Sequence, residues 1–320
     1  MTVSAIPNPD TIRTAILLAG RAPSVHNSQP WHWRARPDGL DLYAEPDLHL
    51  TSIDPDRRDL ILSCGASLHH AVTALAALGW RARIQRFPDP RDRLHLATVG
   101  VAPHEPSELD LTLAAAIPRR RTDRRRYGSK QVSPADVALM GARAARAGVT
   151  LRRAESIANL TELIERAASL HAGDIDYLHE LTEWSGRYGS QAGIPARNTP
   201  VPDPTAPIPA RFFAGTALAQ PPGSADIEDN GAVIALGTRD DDELARLRAG
   251  EATSLVLLTA TALGLASCPI TEPLEIAETR AALRSEIFED DAFPQMLLRI
   301  GWAVPSAVPL PATPRRPPSW

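Results

Sequence analysis

The sequence predicts an α+β fold, because segments with helical apolar spacing are mixed with short strand-like runs and because one apolar helix occurs twice. Helices are predicted over residues 11–20, 60–78, 133–145 and 251–263. Runs rich in β-branched and aromatic residues predict strands over residues 31–34, 40–43, 81–87, 94–101, 231–238 and 296–302. Helices and strands therefore alternate irregularly along the chain of 320 residues.

Two of the predicted helices carry recognisable start signals. Asp10 is the expected N-cap of the first helix, since its carboxylate can accept hydrogen bonds from the free amides of the first turn. Ser133 followed by Pro134 marks the start of the third helix, because proline fits the first helical position. The helices over 60–78 and 251–263 are apolar on most faces, which is typical of a helix buried on all sides.

The two apolar helices resemble each other in sequence. A continuous apolar run follows Gly65 and another follows Gly250, and both end in Ala-Leu-Gly at the same spacing. The two glycines are 185 residues apart. The helix ends around Arg21 and Arg146 also resemble each other, and these arginines are 125 residues apart. The alternative is a chance similarity between buried helices.

The two offsets differ by about 60 residues, which indicates an insertion between residues 150 and 250. This window contains the proline-rich stretch 193–213, which has too few backbone donors for a central strand. A long ordered loop is expected there instead. The sequence thus predicts two related halves, 1–110 and 111–320, that form an internal pseudo-dimer, with a lid at about 190–223 in the second half.

Composition argues against several classes of protein. The net charge of -4 gives no reason to expect a nucleic acid or an anionic membrane as partner. Cys64 and Cys268 lie in no metal-ligand spacing, so no metal site is expected. The longest apolar stretch, 255–267, contains threonines and is too short to span a bilayer. The first residues lack the features of a signal peptide, and we expect a cytoplasmic protein.

The arginine and histidine residues of this sequence are weak indicators of function. Lys130 is the single lysine, so almost all positive charge is arginine, and the mere presence of an arginine carries little weight. His69 and His70 lie within a helix that is expected to be buried, and we interpret both as structural. No Gly-rich dinucleotide fingerprint follows a predicted strand, and no catalytic triad or carboxylate pair can be recognised.

The stretch 21–31, Arg-Ala-Pro-Ser-Val-His-Asn-Ser-Gln-Pro-Trp, is the sharpest local signal. Asn27 and Gln29 offer donors and acceptors that suit a planar heteroaromatic ligand with an amide edge. Pro23 and Pro30 restrict the backbone, so that its own polar groups are presented in one geometry. The alternative is a simple helix end followed by a turn into the strand at 31–34.

A second signal is the run 119–126, in which six of eight residues are arginine. Guanidinium groups donate bidentate hydrogen bonds, so a phosphate dianion suits such a cluster. A solvated charge run is the alternative. A nucleic-acid patch fits the net charge of the chain less well.

These strings resemble motifs of the FMN-dependent nitroreductase family. The motif Ala-Pro-Ser-x-x-Asn-x-Gln-Pro-Trp is matched at 22–31, and the family's Arg-Arg-Ser-x-Arg element is similar to residues 120–124. The segment 293–302 resembles the last core strand of the family, and 314–318 its terminal basic pair. The resemblance implies a nitroreductase-like FMN-binding fold.

The resemblance also implies a set of cofactor-binding residues and no catalytic residue, since the flavin carries the redox chemistry. Flavin contacts are implied for Pro23, Ser24, Val25, Asn27 and Gln29. The phosphate and ribityl chain are assigned to Arg120, Arg121, Thr122, Arg124, Arg315 and Arg316. A short turn beneath the flavin comprises Pro269, Ile270, Thr271 and Glu272, and contacts to the flavin pyrimidine fall at Trp184 and Arg187. NAD(P)H is the implied reductant, and a nitroaromatic or quinone the implied acceptor.

The motifs are divided between the two predicted halves. The first half has the Ala-Pro-Ser motif without an arginine element before it, whereas the second has the arginine element but reads Arg-Ala-Gly-Val at 146–149. This division resembles the Acg-like branch of the family and implies one FMN per chain in a monomeric internal dimer. A further homodimer through another surface stays open. The alternative function is a lidded FMN-storing or FMN-sequestering protein without nitroreductase turnover.

Overall fold

Two long helices that pack against each other, α2 and α7, form the centre of the computed structural model, which describes residues 6–186 and 190–317. Each of them also packs against one antiparallel sheet of four strands. The described helices are α1 (Pro9–Ala19), α2 (Arg58–Ala77), α3 (Glu108–Ala116), α4 (Pro134–Arg146), α5 (Ile157–Ala172), α6 (Ile175–Trp184), α7 (Glu243–Ala262), α8 (Glu272–Glu275) and α9 (Ala277–Phe288).

The two sheets have the same strand order. The first sheet is ordered β1-β2-β4-β3 and the second β5-β6-β8-β7, and every described pairing is antiparallel. In the first sheet the strands are β1 (Trp31–Arg36), β2 (Gly39–Ala44), β3 (Trp80–Arg86) and β4 (His95–Pro103). In the second they are β5 (Thr150–Arg153), β6 (Ala232–Thr238), β7 (Ala266–Ile270) and β8 (Phe293–Gly301).

The close crossing of α2 and α7 is set by two glycines. A Cβ atom on Gly65 would lie 2.1 Å from the carbonyl oxygen of Leu247, and one on Gly250 would lie 2.1 Å from that of Leu62. The contact is reciprocal, and both Gly65–Gly250 and Leu62–Leu247 are 185 residues apart. Only a residue without a side chain allows the two backbones to approach this closely.

The predicted elements match the structure in most places, and three expectations were wrong. Asn8 rather than Asp10 caps α1, since the Thr11 amide donates to Asn8 Oδ1 at 2.7 Å. Helix α7 begins eight residues before the predicted 251, after the N-cap Asp242. Residues 266–270, interpreted in part as a turn, form strand β7 because their backbone pairs with β8. The Ser133 cap is confirmed by its bond to the Asp136 amide.

Several elements between the predicted ones have only weak signals in the sequence. Helices α3, α5, α6, α8 and α9 and the short strand β5 were not predicted. Most of these are partly exposed, and their apolar residues form narrow stripes or short runs. Segment 190–223 has the expected character: among its described residues the structure shows one-turn helix Ala196–Asn198 and single bridges, with no longer helix and no strand.

Helix α2 is long and apolar enough to cross a membrane by length and composition alone. However, 78% of its apolar window is buried inside the protein. It packs against α1, α7 and the first sheet, as the core helix of a folded domain does.

The α2–α7 crossing predicts a large effect of a single methyl group. Gly65→Ala should lower the free energy of unfolding by at least about 1–3 kcal/mol, because overpacking forces the helices apart. The matched control is Gly141→Ala in α4, where the nearest atom to an added Cβ is 3.9 Å away. There, alanine should be neutral or stabilising by up to about 1 kcal/mol. Urea denaturation measures both, and equal effects of the two variants would contradict the close approach.

Candidate functional site

A large cavity is lined by residues from two parts of the chain, 23–66 and 122–299. Its empty space, including the open mouth, is about 1440 Å³. Residues of loop 23–26 and of α2 line one side. The arginine run, β7 and the start of α8 line another, and segment 190–223 contributes from Ile194 to Gln220. We call this space the main cavity. Its mixed apolar and cationic lining suits a flat organic ligand with polar edges.

The loop 21–31 is held in an unusual backbone conformation beside this cavity. His26, Asn27 and Gln29 have φ values of 44°, 56° and 55°, in the left-handed region that costs a non-glycine residue about 1–3 kcal/mol. Side-chain hydroxyls hold the loop in place: Ser63 Oγ accepts from the Val25 amide, and Ser24 Oγ from the Gln29 amide, both at 3.0 Å. Such conformations concentrate at ligand-binding sites.

Asn27 and Gln29 are directed toward other chain segments. Asn27 Nδ2 donates to the carbonyl oxygens of Gly193 and Pro314, each at 3.1 Å, and Gln29 Nε2 donates to that of Gln191 at 3.0 Å. The two amides therefore connect loop 21–31 to segment 190–223 and to the C-terminal arm, residues 302–317. Neither residue lines the main cavity, whereas Pro23, Ser24 and Val25 do.

A second, smaller cavity contains a group of cations that we call the arginine cluster: Arg21, Arg120, Arg121 and Arg315. Its other lining residues are Ile117, Ala312 and Thr313, so the described lining includes no carboxylate. Arg120 is only 6% exposed, and its Nε and Nη1 atoms have no hydrogen-bond partner among the described residues. Buried, positively charged N–H donors without a partner indicate a site for an anion.

Electrostatics within the arginine cluster point the same way. Burial lowers the pKa of Arg120 to about 9, and repulsion from Arg315 and Arg121 adds to this effect. Burial, with repulsion from Arg21 and Arg121, lowers the pKa of Arg315 to about 10. The guanidinium groups stay protonated at neutral pH, so their repulsion is an energetic cost that a bound anion would remove.

Arg315 connects this cluster to loop 21–31. Its Nη1 donates to Asn27 Oδ1 at 2.9 Å and to Thr313 Oγ1 at 2.6 Å, and its Nη2 donates to the Arg21 carbonyl at 3.2 Å. Arg316, expected beside it, lies outside the cluster, and its backbone amide donates to Gln29 Oε1 at 2.9 Å. Sequence reasoning missed Arg21, although it begins the recognised motif, because arginine is so common in this chain.

The arginine element divides between the two cavities. Arg120 and Arg121 lie in the arginine cluster, whereas Thr122 and Arg124 line the main cavity. Arg124 makes no ion pair with a carboxylate among the described residues, and its guanidinium carbon lies 5.0 Å from the Phe213 ring centre. The other cavity arginines each pair with a carboxylate: Arg125 with Asp123, Arg126 with Asp203, Arg211 with Glu275 and Arg299 with Asp229. Of the described cavity arginines, Arg124 is thus the one left available to a ligand.

His26 and Asp59 also line the main cavity, and neither was among the predicted site residues. Burial, and then the charges of Arg211 and Arg124, hold the pKa of His26 well below its ordinary value, so the ring is neutral at neutral pH. Burial raises the pKa of Asp59 to about 6, although the Arg58 guanidinium, 2.6 Å away, opposes the rise. The spacing of Asp59, Ser63 and Ala66 along one face of α2 was the signal that could have revealed this lining.

The remaining predicted residues fall in different places. Pro269, Ile270, Thr271 and Glu272 line the main cavity at the end of β7 and the start of α8. Trp184 does not line it. Its ring packs on a separate apolar group, and its carbonyl accepts from the Ile194 amide at 2.8 Å. Arg187 lies outside the described residues.

Comparison with known proteins identifies the family. No family model matches the chain. A Mycobacterium tuberculosis protein named "putative NAD(P)H nitroreductase" is 60% identical over 310 residues, which cover 97% of this chain and 90% of the relative. The "putative NAD(P)H nitroreductase acg" of the same species is 36% identical over 323 residues, covering 96% and 94%. The chain therefore belongs to the nitroreductase family.

Similar solved structures are more distant. A nitroreductase from Anabaena variabilis, named as putative, has a TM-score of 0.42 at 12% identity and covers 93% of this chain and 90% of its own. A Bacteroides fragilis nitroreductase with bound FMN has a TM-score of 0.40 at 19% identity, covering 61% and 90%.

The arginine cluster predicts stabilisation by simple anions. Inorganic phosphate should raise the melting temperature of the ligand-free protein in a saturable manner, because it binds the folded state alone. Arg120→Gln should raise the melting temperature in phosphate-free buffer, since a buried unpaired charge is removed, and should abolish most of the phosphate effect. Arg316→Gln is the control and should keep it. Thermal scans at constant ionic strength measure this, and an equal phosphate effect in all three proteins would contradict the site.

Proposed function

We propose that this chain is an FMN-binding flavoprotein that catalyses NAD(P)H-dependent reduction of nitroaromatic or quinone-like acceptors. One observation carries the proposal: a cluster of four arginines without an acidic partner in its described lining is connected, through Arg315, to a loop that matches the family's flavin motif. A ligand with a dianionic phosphate and a flat heteroaromatic ring suits these two adjoining environments. The names of the Mycobacterium relatives support the reductant.

In this proposal the arginine cluster holds the phosphate of FMN. Arg120, Arg121, Arg315 and Arg21 supply guanidinium donors, and such charge-assisted hydrogen bonds are shorter and stronger than neutral ones. The unpartnered Nε and Nη1 atoms of Arg120 are available for this purpose. Arg316 would contribute through the backbone bond that holds the arm to Gln29.

The flavin ring is proposed to occupy the main cavity. FMN held there would supply the redox chemistry, transferring electrons from NAD(P)H to the acceptor. Arg124 would compensate negative charge that develops on the flavin ring, because no described carboxylate pairs with it. His26, kept neutral by burial, offers a ring nitrogen for hydrogen bonding. Asp59, with a pKa of about 6, can hold a proton in weakly acidic solution and release it near neutral pH.

We further propose that residues 1–110 and 111–320 are related halves of one internal pseudo-dimer, so that a single chain completes one site. The shared strand order of the two sheets and the reciprocal crossing at Gly65 and Gly250 support this. The loop 21–31 comes from the first half, and the arginine element from the second. The two cysteines, both free thiols, suit a cytoplasmic protein.

Segment 190–223 is proposed to act as a lid, and this favours a second candidate function. Arg211 donates to Glu275 Oε1 at 2.6 Å and to Tyr177 Oη at 2.5 Å, while Phe213 lies beside His26 with ring centres 6.1 Å apart. A lid held this firmly could keep FMN in and keep a nicotinamide or an acceptor out. The chain would then store or sequester FMN without turnover.

The proposed site contains one FMN per chain. Heat release of flavin from the purified protein, measured against protein concentration, should give a ratio near one. The ratio should not fall on dilution, because Asn27 and Arg120 are in the same chain. A ratio near two would refute the single-site proposal. A ratio near zero would refute the proposal that the protein binds flavin. Flavin loss in step with subunit dissociation would mean that the site spans two chains.

The two candidate functions differ in their response to a reductant. An enzyme should lose its visible flavin absorbance when mixed anaerobically with NADPH or NADH. A storage protein should stay yellow, and Phe213→Ala should then speed bleaching by loosening the lid. Phe212→Ala is the matched control, because that neighbouring side chain is 60% exposed. If bleaching is slow and Phe213→Ala does not change its rate, the lid is not what keeps the reductant from the flavin.

A further inference from the structure

We propose that His70 is a specificity-determining residue that accepts a hydrogen bond from a hydroxyl of the ribityl chain, a role that rests on the FMN proposal above. By sequence alone, His70 is expected to be a structural residue. Its position, its hydrogen bonds and one unsatisfied nitrogen together assign it this contact.

His70 lies on α2, one helical turn beyond the part of this helix that lines the main cavity, and it is close enough to Arg120 and Arg315 for their charges to act on it. Asp59, Ser63 and Ala66 line the main cavity from α2, and His70 follows on the same helical face one turn after Ala66. The ring is 0% exposed. Burial lowers its pKa well below the ordinary value, and repulsion from Arg120 and Arg315 of the arginine cluster adds to the effect. His70 is therefore close to the path from the ring site to the phosphate site.

The hydrogen bonds of His70 indicate which ring nitrogen carries the proton. Nδ1 lies 3.1 Å from the Ala66 carbonyl oxygen and 2.8 Å from Ser254 Oγ on α7. A carbonyl oxygen only accepts, so Nδ1 is the protonated nitrogen and Nε2 of the neutral ring is an acceptor. The Ser254 hydroxyl can then donate to His69 Nδ1, 2.7 Å away. Ser254 thus orients His70 from the other central helix.

Nε2 is left without a partner. It is buried, and no described residue hydrogen bonds to it. A buried acceptor without a donor costs about 1–3 kcal/mol, and protonation is no remedy here because burial and two arginines oppose it. A donor supplied by a bound ligand would satisfy this nitrogen.

Of the parts of FMN, the ribityl chain suits this nitrogen best. The phosphate dianion has acceptors alone, and the arginine cluster already complements it. The ring N3–H is also a donor, but the ring is proposed to occupy the main cavity, whose described lining does not include His70. The ribityl chain joins ring and phosphate and carries hydroxyl groups. A hydroxyl that donates to Nε2 would satisfy this atom and select a polyol chain over a plain alkyl chain.

The test compares FMN with a flavin pentyl phosphate, in which the ribityl hydroxyls are replaced by hydrogens while ring and phosphate remain. Dissociation constants are measured by quenching of flavin fluorescence. His70→Leu should weaken FMN binding about ten-fold or more, and should leave binding of the analogue nearly unchanged. His70→Gln, whose side-chain oxygen can replace Nε2 as acceptor, should restore most of the FMN affinity.

The matched control is His69→Leu, which removes the neighbouring imidazole that also contacts Ser254 Oγ. It should change affinity for both flavins by the same small factor. Equal weakening of FMN and the analogue by His70→Leu would overturn the proposal in favour of a structural role or a phosphate contact, and unchanged FMN affinity would overturn it outright. Failure of the wild-type protein to bind FMN would instead refute the FMN proposal itself.

Discussion

The contact between α2 and α7 at Gly65 and Gly250 is the constraint on which the rest of the structure depends. Because neither glycine has a side chain, the two helices approach until the carbonyls of Leu247 and Leu62 would meet an added methyl group. Each helix also packs on its own sheet, so the crossing fixes the relation between the sheets. Loop 21–31, the arginine element and β7 are thereby brought around the main cavity. Ser254 reaches His69 and His70 across the same interface.

A second constraint is the excess of positive charge beside that interface. Four arginines share a small cavity, and burial makes their mutual repulsion expensive. Most other buried arginines near the site are neutralised by carboxylates, as Arg211 is by Glu275. The contrast separates arginines with a carboxylate partner from those whose described surroundings contain none. The strained backbone at His26, Asn27 and Gln29 lies in the same region, and strain of this kind is typical of functional sites.

Much of the fold was predictable because its signals are local. Buried helices show as continuous apolar runs, strands as short β-branched runs, and the Ser133-Pro134 start as a cap. The partly exposed helices α5, α6 and α9 were missed, because a narrow apolar stripe is a weak pattern in a sequence rich in alanine and arginine. Asn8 was overlooked because Asp10 was an equally good cap by residue type, and only the Thr11 amide distinguishes them.

The sequence by itself determined the family resemblance, the residues of loop 21–31 and the presence of an arginine-rich element, since each depends on residue order alone. Tertiary structure decided which arginines act together. It brings Arg21 and Arg315, which are far apart in the chain, to Arg120, and it directs Arg124 to another cavity. It also decided that His70 keeps an unsatisfied nitrogen while Nδ1 is occupied. Long-range proximity and hydrogen-bond saturation depend on how helices and sheets pack, and no local pattern encodes them.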